Sequence, residues 1–193
     1  MTLVASNELV PTRLRTYVPP SVRVTTFLIL TCFSVKGFTA AQDHPVKAEL
    51  IAEHTSIQPL GTTRVGVHFE IEPGWHIYAE DPGDAGLPTK IGWWGSAPVL
   101  FEPIQWPLAE DFTDAGDIHT HGYSGNLVLA SSIKVGPGAS VGDTLDVNAH
   151  VEWLACREIC LPGKADLALT LPVTQEPSVL SAHAELFDQI RGE

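Results

Sequence analysis

Cys156 and Cys160 stand four residues apart in the run Trp153-Leu-Ala-Cys-Arg-Glu-Ile-Cys-Leu-Pro-Gly163, and the only other cysteine is Cys32. An isolated Cys-x3-Cys pair can exchange disulfides, hold a metal, or staple a loop. Exchange requires one thiolate to attack a partner's sulfur directly, so the pair must be reachable. Arg157 favours a neighbouring thiolate and Glu158 opposes it. A staple closing so short a loop contributes only about 2 kcal/mol on the chain-entropy relation. A metal clip needs further ligands, and His119-Thr-His121 offers two nitrogens for a mixed Cys/His copper or zinc site with Cys156 and Cys160. Two histidines in a polar loop are ordinarily just solvated. Cys156-Arg-Glu-Ile-Cys160 also has the Cys-x-Glu-x-Cys form of the binuclear copper loop of oxidase-type cupredoxins. That loop needs a His four residues later and a Met three beyond, where this chain has Lys164 and Leu167, so the copper loop fails. The redox reading is favoured. A secreted interaction module with a structural disulfide, and a periplasmic copper- or zinc-binding protein, stay open beside it.

The chain's start bears on the redox compartment. Arg13, Arg15 and Arg23 precede an uncharged run from Val24 to Val35, and Thr39-Ala40-Ala41 supplies small residues before Gln42. This pattern predicts a signal peptide over 1–41, removed on export, since a bilayer span needs about 20 apolar residues. Cleavage would leave Cys156 and Cys160 as the sole pair in a soluble periplasmic or secreted protein. From Gln42 onward, 7 Lys and Arg face 22 Asp and Glu, a formal charge of −15. Such acidity argues against nucleic acid, whose phosphates demand a basic footprint, and against anionic lipid. Its simplest role is solubility. The remaining length suits one domain with its own core, which needs no disulfide to fold.

Period-2 alternation dominates that domain. Val46 to Ala52, Val65 to Ile71, Leu127 to Val135, Leu145 to Trp153 and Leu167 to Val173 read as strands. Shorter strands are expected near Trp75–Ala79, Thr89–Trp93 and Val99–Ile104. Pro73-Gly74, Pro82-Gly83, Ser124-Gly125, Gly136-Pro137-Gly138 and Pro162-Gly163 read as turns. The sum is an all-β, immunoglobulin-like sandwich of seven or eight strands over 42–177. Over 178–193 a short C-terminal helix capped by Ser178 or Ser181, or a tail, is expected. The cysteines then fall at a hairpin tip, with Pro162-Gly163 as its turn, and the tip is expected to be exposed.

With these residues assembled, the chain resembles the N-terminal periplasmic domain of the thiol:disulfide interchange protein DsbD and its copper-tolerance relatives. Gly74-Trp-His-Ile-Tyr78 with Asp81-Pro-Gly-Asp-Ala-Gly-Leu-Pro-Thr89 is similar to that family's early motif. Ile104-Gln-Trp-Pro107 and His121-Gly-Tyr123 resemble its middle section, where an aromatic loop caps the cysteines. Trp153 to Pro162 resembles its active-site hairpin. The resemblance implies an immunoglobulin-like fold and a cofactor-free dithiol relay through Cys156 and Cys160. It implies Tyr123 and its neighbour His121 as the cap, and Trp75, His76 and Tyr78 as the site lining. The implied partners are a membrane-embedded thiol reductase as donor and thioredoxin-like periplasmic proteins as acceptors, among them disulfide isomerases or cytochrome c maturation factors. The sequence carries no transmembrane segment for the mature chain and no second thiol pair, so the donor is expected to be a separate protein.

Overall fold

A computed structural model of the chain describes residues 44–96, 99–114 and 116–190. The expected leader, with Cys32, lies outside them. Two antiparallel sheets make an immunoglobulin-like β-sandwich. In the four-stranded sheet, β1 (Val46–Ala52) pairs with β2 (Thr62–Ile71), whose far edge pairs with the strand Asn126–Val135. The short strand Val99–Phe101 closes the other edge. The second sheet has six strands: β3 (His76–Gly83), β4 (Lys90–Gly95), β6 (Glu110–Asp114), β7 (Ile118–Tyr123), β9 (Thr144–Cys156) and β10 (Cys160–Pro172). Val99–Phe101 is thus β5 and Asn126–Val135 is β8.

Alternation decides which residues meet between the sheets. Val65, Val67 and Phe69 from β2 and Leu127, Leu129 and Ile133 from β8 face Val147, Ala149, Val151 and Ala155 from β9, all buried. Three residues break the pattern for a physical reason. Ile51, Val128 and Ala130 point to the outer face of the four-stranded sheet yet are buried, because Phe187 covers them. Phe187 sits in a 3-10 helix, Ala184–Ile190, and is fully buried. Gly66 leaves the space for it, since a Cβ there would lie 3.2 Å from Phe187 and 2.7 Å from Val128. Arg64 locks the arrangement, donating to both carboxylate oxygens of Glu53 and to the Phe187 carbonyl.

The described residues form ten strands where the sequence predicts seven or eight. The additional pair, β6 and β7, is short and polar, so it shows no apolar alternation to read. The helix forms as 3-10, with Ser181 in the capping role: its Oγ accepts from the His183 N–H and donates to the Ala52 carbonyl. Pro162-Gly163 is not a turn. Both lie inside β10, in register with Leu154 and Trp153, and the hairpin bends at Arg157-Glu158-Ile159 instead. Gly163 serves packing, because a Cβ there would collide with the Trp153 indole, and Pro162 is tolerated on an edge strand.

Phe187→Ala removes a fully buried ring that seals the outer face of β1, β2 and β8. It should lower the unfolding free energy by about 3 kcal/mol, measured by urea denaturation. A loss below about 1 kcal/mol would show that the C-terminal helix contributes little to the sandwich.

Candidate redox site

β9 and β10 run in register for thirteen residues, and the register ends on Cys156 opposite Cys160. Neighbouring residues of an antiparallel pair share a face, so the two sulfurs meet directly, and they are bonded at 2.03 Å. The pair is asymmetric. Cys156 is 1% exposed, whereas Cys160 is open to solvent. The expectation of an exposed tip therefore holds for one cysteine and fails for the other, because β3 flanks Cys156 while Cys160 opens the edge strand.

β3 pairs with the end of β9 so that His76 is opposite Cys156. One face of the sheet thus carries the row Cys160, Cys156, His76. His76 is buried and its ring stacks on Phe112 of β6 at 4.4 Å between centroids and 16° between planes. Tyr78, two residues on, meets His76 edge-on at 5.2 Å. Phe112 reaches His76 across Gly122: a Cβ on Gly122 would collide with the Ile77 carbonyl and stand 3.5 Å from the Phe112 ring. The glycine of His121-Gly-Tyr123 is required there by close approach.

Trp75 supports the bend. The Arg157 guanidinium lies 5.0 Å over the Trp75 ring, a cation–π contact. Gly74, at φ 83°, leaves the Arg157 stem room 3.4 Å from where its Cβ would be. The Pro73-Gly74-Trp75 turn therefore holds the residue that follows Cys156.

Other sequence-predicted residues sit elsewhere. Tyr123 pairs with Ile77, on the opposite face from the cysteines, and belongs to the core. Its hydroxyl donates to the Pro107 carbonyl at 2.9 Å, and its ring lies parallel to Trp106. Burial pushes the phenol up to about 12, with Glu80 adding to the effect. Alternation along β7 puts His119 and His121 on the Tyr123 side. His119 is exposed, and His121 is 3.7 Å from Asp111. Among the described residues no group of three or more His, Cys, Asp or Glu side chains is placed to hold a metal ion, so the mixed Cys/His metal set is not assembled. The aromatic ring stacked beside the disulfide row is Phe112, which sequence reasoning missed. Its one signal was an apolar residue alone in the polar stretch Glu110–Asp114.

A sandwich with a half-exposed disulfide at the end of a long hairpin is a frame for thiol–disulfide chemistry. Residues 42–172 match the family described as thiol:disulfide interchange protein DsbD, N-terminal, and the chain belongs to that family. Among solved structures it is similar to the N-terminal periplasmic domain of ScsB from Proteus mirabilis, at 24% identity and a TM-score of 0.54, covering 76% of this chain and 54% of that one. The chain thus spans about half of that ScsB chain. It also matches the reduced N-terminal domain of DsbD from Neisseria meningitidis, at 13% identity and a TM-score of 0.36, covering 69% of this chain and 88% of that one. No curated protein matches the chain.

Two measurements follow. In the reduced protein, iodoacetamide should modify Cys160 at least roughly tenfold faster than Cys156, since access governs thiol reactivity; peptide mapping by mass gives the ratio, and equal rates would refute the asymmetry. Alkaline difference spectra should show a phenolate step near pH 12 that disappears in Tyr123→Phe. Because the folded pKa lies above the unfolded one, Tyr123 contributes stability that is complete below about pH 10 and declines as pH rises toward 12. A Tyr123 step at about pH 10 would contradict the buried phenol.

Proposed function

We propose that this domain relays reducing equivalents in the periplasm, from a membrane-embedded thiol reductase to thioredoxin-like proteins, through Cys156 and Cys160. The observation that carries the reading is the unequal exposure of a bonded pair: Cys160 is open and Cys156 is 1% exposed. A structural staple has no need of one reachable sulfur, whereas exchange requires it.

The chemistry balances over two half-cycles. A donor thiolate attacks the Cys160 sulfur, forming a mixed disulfide, and the Cys156 sulfur leaves with the electron pair of the broken S–S bond and takes a proton. The donor's second thiolate attacks its own sulfur in the mixed disulfide, forming the donor disulfide and releasing Cys160 as a thiolate. The domain has gained two electrons and the donor has lost two. In the second half-cycle the Cys160 thiolate attacks an acceptor disulfide, the acceptor's leaving sulfur is protonated, and Cys156 resolves the mixed disulfide. Cys156 and Cys160 are bonded again and the acceptor is a dithiol. A periplasmic location and a donor encoded as a neighbouring multi-span membrane protein belong to the same proposal. An oxidising compartment drives exposed dithiols toward disulfide, so such a carrier needs constant resupply. No helix among the described residues is long and apolar enough to cross a membrane.

Cys156→Ser leaves Cys160 with no resolving partner, so in the periplasm it should accumulate a covalent, reductant-sensitive adduct with a thioredoxin-like protein. Cys160→Ser should accumulate far less. Absence of any adduct from Cys156→Ser would remove the relay and leave a binding module with a structural disulfide.

A further inference from the structure

The early motif Asp81-Pro-Gly-Asp-Ala-Gly-Leu-Pro-Thr89 lines no part of the disulfide row, yet the fold places it with care. Gly86 lies against the Tyr78 ring so closely that a Cβ would collide with it. Thr89 is buried, and its hydroxyl donates to the Tyr78 carbonyl at 2.9 Å. These contacts tie the segment to β3 and hold Leu87 and Pro88 at a fixed position. Leu87 is nonetheless 63% exposed. Leu87 is one of ten large apolar side chains exposed among the described residues; what sets it apart is that it is pinned beside the hairpin and lines a groove there.

Leu87 and Pro88 form one wall of a groove of about 430 Å³ whose other side is β10 at Pro162 and Lys164. The register fixes its distance from the disulfide. Along β10, Cys160, Pro162 and Lys164 share the outer face, opposite Cys156, Leu154 and Glu152 on β9. Lys90 of β4 lies opposite Glu152 on its other side. The outer face therefore reads, in successive rows, disulfide, proline, then Lys90–Glu152–Lys164. At two residues per row these rows are about 7 Å apart, so the lysines lie about 14 Å from the disulfide.

The charge here runs against the rest of the chain, which has a formal net charge of −12. Lys90, Arg157 and Lys164 are three of only seven cations after residue 41, and all three flank this hairpin. Among the described residues neither Lys90 nor Lys164 has a carboxylate within ion-pair distance. Glu152 stands between them but is 3.6 Å from the His150 imidazole, which also lies 2.6 Å from Asp166. Two ammonium groups flanking the single carboxylate of Glu152, which also lines the groove, leave this row a net charge of +1 at the end of an apolar groove and favour a carboxylate at the end of an apolar segment.

We infer that the groove between Leu87-Pro88 and Pro162-Lys164 docks an extended segment of the redox partner, with an apolar side chain two residues from its reactive cysteine and a carboxylate four residues from it. The inference rests on the exchange reading of Cys156–Cys160 and adds the partner's chemistry. The spacing follows from the rows: a cysteine at Cys160, an apolar group over Pro162 against Leu87, and an acid between Lys90 and Lys164.

Synthetic cysteine peptides test this without an identified partner. One pair carries Leu two residues and Glu four residues from the cysteine, on its N-terminal or its C-terminal side. Matched peptides replace Glu by Lys or Leu by Ser. Formation of the mixed disulfide with the oxidised protein is followed by mass spectrometry at low salt, and dithiothreitol gives the reactivity that needs no groove. The better Glu-Leu peptide should react about tenfold faster than its Lys counterpart, and the preference should vanish or invert in Lys90→Glu/Lys164→Glu. Leu87→Ser should remove the advantage of Leu over Ser. The sign is discriminating, because an acidic protein without this groove would favour the Lys peptide. Equal or inverted rates in the unaltered protein, with dithiothreitol reacting normally, would overturn the groove and leave the relay standing. A folded disulfide inert to dithiothreitol and to every peptide would overturn both.

Discussion

The thirteen-residue register between β9 and β10 is the constraint on which the rest depends. Side chains alternate faces with a period of two, so a slip of one residue would reverse every assignment on both strands. The inner face would lose Val147, Ala149, Val151 and Ala155 from the core, which are fully buried. The outer face would lose the opposition of Cys156 to Cys160. Core and chemistry are therefore specified by the same pairing. Trp153 adds a local lock, since its indole fits only opposite a residue without a Cβ, and Gly163 is that residue.

The second edge of β9 is shared rather than owned by one strand. β3 pairs with its last two residues, and β4 pairs with Val147 to Glu152. Between those stretches the chain must leave the sheet and return, which is the work of the Pro-Gly-Asp-Ala-Gly-Leu-Pro segment. Glycines at positive φ, Gly83 and Gly86, permit the path. The division places His76 beside Cys156 at one end and opens the groove at the other. A single strand running the whole length of β9 would have given neither.

Much of this was legible in the residues, and the failures have physical causes. The long strands show themselves because each has one buried face, as in Val65, Val67, Phe69 and Ile71. The cysteine pair was legible from its isolation. β6 and β7 were not, because short polar strands carry no alternation. Pro162-Gly163 misled because a proline-glycine pair has two uses, and the choice between them depends on a Trp153 ring that only tertiary structure brings near. Tyr123 was read as a cap from its motif, and the structure places it in the core. Its neighbour Gly122 is the residue whose absent side chain lets Phe112 reach His76. The covered outer face at Ile51 and Val128 was not legible either, because what covers it is Phe187, more than fifty residues away in sequence.

Thiol–disulfide exchange would require a fold that persists whether its sulfurs are joined or separate, and the contacts of this hairpin suit that requirement. The S–S bond closes a loop of about five residues, which constrains the unfolded chain by only about 2 kcal/mol. The hairpin is also held by the β9–β10 ladder, the Trp153–Gly163 contact and the Arg157–Trp75 stack. None of these passes through sulfur. The disulfide therefore sits at the end of a structure that other interactions already hold, and its cleavage changes the chemistry of the tip far more than the stability of the sandwich. A long-range disulfide between the two sheets would have had the opposite character: closing a larger loop, it would stabilise more and tie the fold to one redox state. The short spacing of Cys156 and Cys160 closes so small a loop that opening the bond would cost the fold little, which is the property a redox pair would need and a staple would not.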